Sequence, residues 1–290
     1  MVPSIGGFIS LIGSVPEKKT VIDYYEPIHF PITKYETVEE VLKRSEEATK
    51  SVGQEYVINT FDLGVCMKAL PWIWNHPDEY KKHIVIPGPF HTKMNFINML
   101  TNKKAKGSGY AEILIEAKLV SSGTLKSVLS GKAYTIALFN LKVVTEALER
   151  LLFEVFMEEY DIEIEPEALL NVIKECSSGS CRAQLDTALQ DESVAKMIKM
   201  YEEYQDKVRN GHLGKTATYW MSITDRAKLL FLLTHAVKTN NRPLFHKCNG
   251  EMAEIFFEQD GQNYSRYVRY VFFDKVQACF ICLMLQHDNE

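Results

Sequence analysis

The sequence predicts an α/β protein that is predominantly α-helical. Two short apolar runs, near residues 56–62 and 83–87, are closed by turn-forming residues and are typical of strands. Apolar residues recur at three- and four-residue spacing over residues 141–160 and through most of the carboxyl-terminal half, which is typical of amphipathic helices. We therefore expect a partial sheet near the amino-terminal end, followed by a large helical region.

Each predicted strand leads to a side chain that is capable of chemistry. Val57–Phe61 runs directly into Asp62, and residues 84–86 run through a Pro-Gly-Pro-Phe turn to His91. Such continuous apolar runs are typical of strands buried on both faces, and open α/β sheets place their sites just beyond the carboxyl ends of the strands. The sequence thus predicts that Asp62 and His91 lie together at one edge of the sheet.

The distribution of glycine, proline and apolar residues divides the chain into three segments. Residues 1–36 are interrupted by too many glycines and prolines for a long regular element and are expected to form an extended arm. Residues 37–160 are expected to form the α/β core and residues 161–290 the helical region. The core is predicted to open with a helix, for which Thr37 and Glu40 have the spacing of a capping box.

The composition of the chain indicates which binding partners and which cellular compartment to expect. The 33 basic and 38 acidic residues give a net charge of −5, so the chain as a whole does not attract DNA and any DNA contact must be local. Six cysteines without a secretory leader indicate a reducing, intracellular location, either nucleus or cytoplasm. The longest apolar stretch, residues 278–285, is too short for a membrane helix, so we expect no membrane insertion.

Asp62 and His91 each have a functional and a structural interpretation. Asp62 could hold Mg²⁺, because a carboxylate is a hard oxygen ligand, or it could simply cap the following helix. His91 could act as a base, a metal ligand or a phosphate contact, or it could be a structural residue at the start of a helix. The spacing of the residues leaves both alternatives open.

Basic residues offer local contacts to nucleic acid. Residues 102–109 form a basic, glycine-rich loop in which Lys103, Lys104 and Lys106 could meet a phosphate, and Lys132 follows another Ser-Gly turn. The alternative is an ordinary solvated loop. Gly214-Lys215-Thr216 resembles the end of a phosphate-binding loop, but Arg209 stands where that motif needs glycine, so this interpretation is rejected.

Three further groups of residues in the carboxyl-terminal half could have a function. Asp225 and Arg226 are interpreted as an internal polar pair, and the tyrosine- and arginine-rich residues 263–270 as facing the core rather than stacking on bases. Residues 271–285 are apolar on nearly all sides of the predicted helix, which is therefore expected to be covered by an earlier element, by a protein partner or second copy, or by residues that this sequence lacks.

The cysteine spacing suggests zinc, but the chemistry favours another interpretation. Cys176 with Cys181 and Cys279 with Cys282 supply the count of thiolates that a four-cysteine zinc site needs. The second pair lies within the apolar helix, however, where thiols behave as small hydrophobic groups. We expect buried thiols there rather than a metal site.

Seven short motifs, in this order, resemble a multicopy, mobile-element-derived and largely uncharacterised family of animal proteins. They are Thr60-Phe61-Asp62-Leu63 with Lys68-Ala69, Gly88-Pro89-Phe90-His91-Thr92, Gly107-Ser108-Gly109, Ser130-Gly131-Lys132, Glu146-Ala147-Leu148-Glu149-Arg150-Leu151-Leu152, Gly214-Lys215-Thr216 through Tyr219-Trp220, and Asn263-Tyr264-Ser265-Arg266-Tyr267. The resemblance extends over most of the chain.

The resemblance implies an RNase H-like transposase core within residues 37–160. In such cores, acidic residues at strand ends hold two Mg²⁺ ions for phosphodiester cleavage. Asp62 would match the aspartate of the first strand and His91 the histidine of the family's Gly-x-Phe-His motif. Asp225 is the one weak candidate for a further acid.

Two departures from the resembled pattern predict loss of activity. After the Ser-Gly-Lys motif, the family carries a histidine, an arginine and a second histidine at the positions of Ala133, Ile136 and Asn140. The family also continues beyond its last apolar helix into an acidic segment, whereas this sequence is expected to stop before it. We therefore expect a transposon-derived protein with an incomplete, inactive core; the alternatives are a non-catalytic helical binding module and an active Mg²⁺-dependent nuclease acting on DNA.

Overall fold

The computed structural model describes residues 22, 24–32, 34–161, 190–259 and 261–270. The described residues of Pro16–Met99 and Asn241–Glu290 form one compact unit, here called the sheet unit. Those of Leu100–Asn240 form a second compact unit, the helical unit. The segment boundaries predicted at residues 36 and 160 stay a prediction.

Helices predominate, as the sequence predicts, and a small parallel sheet accompanies them. In chain order the described elements are α1 Tyr35–Ser51, β1 Val57–Phe61, α2 Leu63–Asn75, α3 Pro77–Tyr80, β2 His83–Pro87, α4 Pro89–Asn98, a π-helix Met99–Lys104, α5 Tyr110–Glu116, α6 Ser122–Leu129, α7 Tyr134–Glu159, α8 Glu192–Arg209, α9 Gly214–Lys238, α10 Arg242–Glu258 and α11 Gln262–Tyr270.

The two predicted strands are confirmed, and they pair in parallel. Val57 lies opposite His83 and Phe61 lies opposite Pro87. The prediction that both strands are buried on both faces is wrong for β1, where Val57 and Asn59 are buried but Ile58 is 49% exposed. With two described strands, β1 is an edge strand, and one of its faces meets solvent.

Helices α1 and α2 pack with the sheet to form the core of the sheet unit. Val65, Ala69 and Ile73 follow one another at four-residue spacing along α2 and share its buried face. They meet Leu42 of α1 and Val85 of β2 in one apolar cluster. The local helical periodicity therefore determines which side of each helix faces the sheet.

The capping box predicted at Thr37 and Glu40 is wrong. Helix α1 begins at Tyr35, so Thr37 lies inside its first turn, where the hydroxyl donates to the carbonyl of Pro31 at 2.9 Å. The Glu40 carboxylate accepts from Nε of Arg44 at 2.7 Å, one turn further along the helix. Both side chains form hydrogen bonds with other groups, because the helix begins earlier than the capping-box spacing indicates.

The helical unit is built on α7, α8 and α9. Phe156 of α7 packs against Tyr204 and Val208 of α8 and Met221 of α9 in a single buried cluster. The ring centroids of Phe156 and Tyr204 are 5.5 Å apart. The sequence predicts helices over most of these residues, and the amphipathic helix expected over residues 141–160 forms most of α7.

The predicted flexible loop over residues 102–109 is partly helical instead. Its first residues belong to the π-helix Met99–Lys104, and only the following residues form a turn. Gly107 and Gly109 adopt φ values of 74° and 91° in this turn, a left-handed conformation that glycine adopts without a steric penalty.

Several predictions fall outside the described residues, and the membrane prediction is tested only within them. The apolar segment 271–285 and all four cysteines of the zinc alternative lie outside. Among the helices that are described, none is long and apolar enough to cross a membrane.

His83 is a buried titratable group at the start of β2. Its side chain is 1% exposed, and Nδ1 lies 3.3 Å from the amide nitrogen of Asn59. Because that amide nitrogen can only donate, Nδ1 accepts and the neutral ring carries its proton on Nε2, 4.0 Å from a Glu46 oxygen. Burial lowers the pKa of His83, although Glu46 opposes this effect.

We predict that His83 makes the protein less stable in mild acid. Unfolded His83 titrates near pH ~6.5 and the folded pKa is lower, so the unfolded chain binds more protons between the two values. The free energy of unfolding should fall as pH falls through this window, by at most about 1.4 kcal/mol per pH unit. In urea titrations from neutral to acidic pH, His83→Gln, which retains an acceptor for Asn59, should lose less stability than the wild type; equal losses would contradict the assignment.

Candidate functional site

The carboxyl ends of β1 and β2 form a tight edge from which two helices start. The N–H of Gly88 donates to the carbonyl of Phe61 at 2.6 Å, so the chain segments after the two strands are joined. Asp62 is the N-cap of α2 and Gly88 is the N-cap of α4. A side chain at residue 88 would place its Cβ 3.1 Å from the Phe61 carbonyl oxygen, which explains the glycine.

Asp62 acts as a helix cap. Its Oδ1 accepts from the backbone N–H of Val65 at 2.8 Å, and the carboxylate is exposed. The structural interpretation of Asp62, as a cap of the following helix, is therefore confirmed. The cap uses only part of the acceptor capacity of the carboxylate, so a role as a ligand for Mg²⁺ stays a prediction.

His91 lies in the first turn of α4 and is partly buried. Its ring packs edge-on against Phe90, with centroids 5.5 Å apart. Its carbonyl accepts from the side-chain amide of Asn95 at 2.9 Å. Asp62 and His91 thus follow the two aligned strand ends at the same edge of the sheet, while their catalytic roles stay predictions.

Tyr264 of α11 joins this edge through Asn95. The Asn95 amide nitrogen also donates to the Tyr264 hydroxyl at 2.7 Å, so one amide links His91 to a residue far along the chain. The Tyr264 ring stacks on Phe256 with centroids 5.0 Å apart. Burial, with the nearby Asp62 charge, raises the pKa of Tyr264 to about 12, so its hydroxyl stays protonated near neutral pH.

Cys66 lies one helical turn after Asp62 and is not an activated nucleophile. It is fully buried, and its thiol donates to the Phe61 carbonyl at 3.6 Å. Burial, with a smaller effect from Asp62, raises the pKa of Cys66 to about 12. The reactive form of cysteine is the thiolate, so this side chain is inert near neutral pH.

Sequence reasoning did not identify Asn95, Cys66 or Tyr264 as parts of the site. The edge brings together three of the motifs that carry the resemblance, around Asp62, around His91 and around Tyr264. The motif of residues 263–267 could have indicated that Tyr264 belongs to the site. The helical spacing of that motif, however, indicated only that its tyrosines face the core.

Comparison with protein families identifies the chain. A family model described as a domain of unknown function, DUF8702, matches residues 6–279. The chain belongs to the DUF8702 family. Separate searches of curated proteins and of solved structures found no match.

The metal-ligating side chains of the DUF8702 domain do not cluster in its described residues. There, no group of three or more histidine, cysteine, aspartate or glutamate side chains is arranged to hold a metal ion. Asp225 belongs to the helical unit, where Nε and Nη2 of Arg209 donate to its two oxygens at 2.9 and 3.0 Å. Arg209, at the end of α8, thus binds Asp225 in a bidentate geometry, while the pairing of Asp225 with Arg226 stays a prediction.

The four lysines predicted to contact nucleic acid all lie in the helical unit of the DUF8702 domain. Lys103 and Lys104 are on the π-helix, Lys106 is in the turn after it, and Lys132 follows α6. The Lys104 ammonium lies 5.8 Å from the ring centroid of Tyr219. Their role in binding nucleic acid stays a prediction.

We predict that Asp62 stabilises the DUF8702 domain through its cap. Asp62→Ala should lower the free energy of unfolding by about 1 kcal/mol, because the Val65 N–H loses its acceptor. Asp62→Asn should be close to wild type, because asparagine caps about as well as aspartate. Urea unfolding of the three proteins measures both effects, and a larger loss for Asp62→Asn than for Asp62→Ala would contradict the capping role.

Proposed function

We propose that this DUF8702 protein is transposon-derived and contains an incomplete RNase H-like core that does not cleave nucleic acid. The observation that carries the proposal is the chemistry of the strand edge. Its one carboxylate from a strand end, Asp62, caps a helix. The residue that corresponds to Asp62 after the second strand is Gly88, and His91, in the first turn of the helix that follows, carries an imidazole rather than a carboxylate.

Two-metal cleavage needs more negative charge than the described residues of this edge supply. Two divalent ions bind where several carboxylates from different elements converge, and they stabilise the attacking and the leaving oxygen together. Tyr264 and Cys66 have pKa values of about 12 and so contribute no charge near neutral pH. Among the described residues that follow the two strands, Asp62 is the one carboxylate that could face two ions.

Helix α7 adds an independent argument for lost activity. Ala133, Ile136 and Asn140 stand where the resembled family has histidine, arginine and histidine, and their spacing places them on one face of the helix start. Ile136 is 48% exposed and Asn140 is 1% exposed. Three groups that could bind phosphate or carry protons are thus replaced together, which supports the absence of cleavage.

The assignment to an RNase H-like core is supported by the arrangement of the strands. Two parallel strands end at one edge, and each is followed by a helix, as in open α/β sheets whose sites lie at that edge. The ordered motifs support descent from a mobile element. An active nuclease that uses Asp62, His91 and Asp225 is disfavoured, since Arg209 engages both oxygens of Asp225.

We predict no metal-dependent cleavage. Purified protein incubated with labelled single-stranded and duplex DNA should give no products above the EDTA control with either Mg²⁺ or Mn²⁺, because the described residues at the strand ends supply one carboxylate. Asp62→Asn is the matched control, since it retains the helix cap while removing the charge. Cleavage by the wild type that is lost in Asp62→Asn would overturn the proposal and establish the nuclease.

A non-catalytic helical binding module is the second candidate. An open groove of about 380 Å³ runs between α7 and α9 and is lined mainly by apolar side chains, including Leu152, Val155 and Trp220. Leu151 at its border is 58% exposed. Exposed apolar surface of this kind often marks a site of protein association.

The binding-module candidate predicts self-association or a stable partner. In sedimentation velocity, the weight-average sedimentation coefficient should rise with protein concentration, and Leu151→Lys should reduce the rise because it places a charge on the apolar surface. The charge control is Glu154→Lys on the same helix. A wild-type protein that stays monomeric at every concentration would count against self-association.

A further inference from the structure

The groove between α7 and α9 has the shape that one additional helix would occupy. Its lining residues on α7 fall within 148–155, and those on the side of α9 fall within 213–224. On both helices they recur at spacings of three and four residues, so each helix gives one face to the groove. Leu151, Val155 and Leu213 are exposed in the single chain. The groove is therefore open to a second molecule.

The one ionisable side chain among the described residues that line the groove is Glu149, and it is already paired. The Lys228 ammonium lies 2.6 Å from its Oε1. The Gln205 amide and the Tyr201 hydroxyl donate to its Oε2 at 3.4 and 3.5 Å. Because these partners come from the helical unit itself, the groove needs no charged occupant. Its chemistry favours an apolar surface.

Residues 271–285, which follow α11 in sequence and lie outside the described residues, have the pattern of such an occupant. At spacings of four, four and three residues, this segment carries the side chains Phe272, Val276, Phe280 and Leu283. We call these four residues the apolar stripe. Stripes with this spacing are typical of helices that bind in an apolar groove.

The apolar stripe also matches the groove in length. A helix rises 1.5 Å per residue, so the stripe of a helix over residues 272–283 would be roughly 16 Å long. The lining of the groove between residues 213 and 224 extends over the same number of residues. The same sequence thus supplies an open apolar groove and an apolar segment of matching length that is expected to need cover.

We propose that the groove between α7 and α9 binds residues 271–285 of a second copy of the chain as an additional helix, with the apolar stripe facing the groove. The occupant comes from a second copy because the rim of the groove is exposed in the single chain. The proposal rests on the second candidate function, the helical binding module, and adds the identity of its partner. It does not depend on the strand edge or on descent from a nuclease.

This contact is heterologous, since it joins two different surfaces of the copies. A variant with a damaged groove keeps an intact segment, and a variant with a damaged segment keeps an intact groove. The two variants should therefore associate with each other even where neither associates with itself. A contact between two grooves, or between two segments, would not behave in this way.

Sedimentation velocity of the full chain tests the proposal. Leu151→Lys in the groove and Phe280→Lys in the segment each place an ammonium in the apolar contact, so each should weaken self-association by about tenfold or more. An equimolar mixture of the two variants should regain a faster-sedimenting species. The matched control is Asp274→Asn, which changes the net charge by the same amount on the opposite side of the predicted helix and should associate like the wild type.

The possible results separate this contact from other forms of association. Unchanged thermal unfolding shows that the variants retain the fold, and Val276→Lys replaces Phe280→Lys should the latter unfold. Self-association that Leu151→Lys weakens and Phe280→Lys leaves unchanged would overturn the segment as occupant while retaining the binding module. Loss of association in both variants without recovery in the mixture would overturn the heterologous contact. A wild type that is monomeric at every concentration would overturn it as well.

Discussion

The hydrogen bond from the Gly88 N–H to the Phe61 carbonyl is the constraint on which the arrangement of the sheet unit depends. Phe61 precedes the N-cap of α2, and Gly88 is itself the N-cap of α4, so this one bond fixes the starting points of both helices. A two-stranded sheet is marginally stable alone, and the packing of α1 and α2 on it supplies the missing burial. The edge that carries Asp62 and His91 is therefore set by the backbone rather than by side-chain chemistry.

The parts of the fold that follow from local patterns could be predicted from the sequence. Strand positions, helix spacing and the alternative of Asp62 as a cap all depend on residues within one or two turns of each other. The link from Asn95 to Tyr264 could not be predicted, because it joins residues 169 positions apart and periodicity identifies a buried face without naming its partner. The exposure of Ile58 was missed for a related reason: burial on both faces requires further layers or strands that a single segment does not specify.

Tyr264 and Cys66, the two buried titratable groups at the strand edge, are poorly suited to proton transfer near neutral pH. General acid–base catalysis works best when the pKa of the group lies near the working pH. Burial moves the pKa values of Tyr264 and Cys66 to about 12, away from this range. The same burial keeps the Tyr264 hydroxyl neutral, so that it can accept the hydrogen bond from Asn95 throughout this pH range. The raised pKa therefore argues against a catalytic role for Tyr264 and for a structural one.

Cleavage and binding respond differently to substitution, which explains how one can be lost while the other persists. A two-metal centre acts as a unit, so the loss of one carboxylate removes most of its rate. A surface that holds phosphates through separate lysines loses affinity in steps, because each ion contact contributes its own share. The lysines predicted to contact nucleic acid come from two segments of the helical unit, whereas Asp62 is the one carboxylate that directly follows a described strand. Under the proposed descent from an active nuclease, divergence would thus eliminate cleavage well before it eliminated the predicted contacts with the phosphodiester backbone.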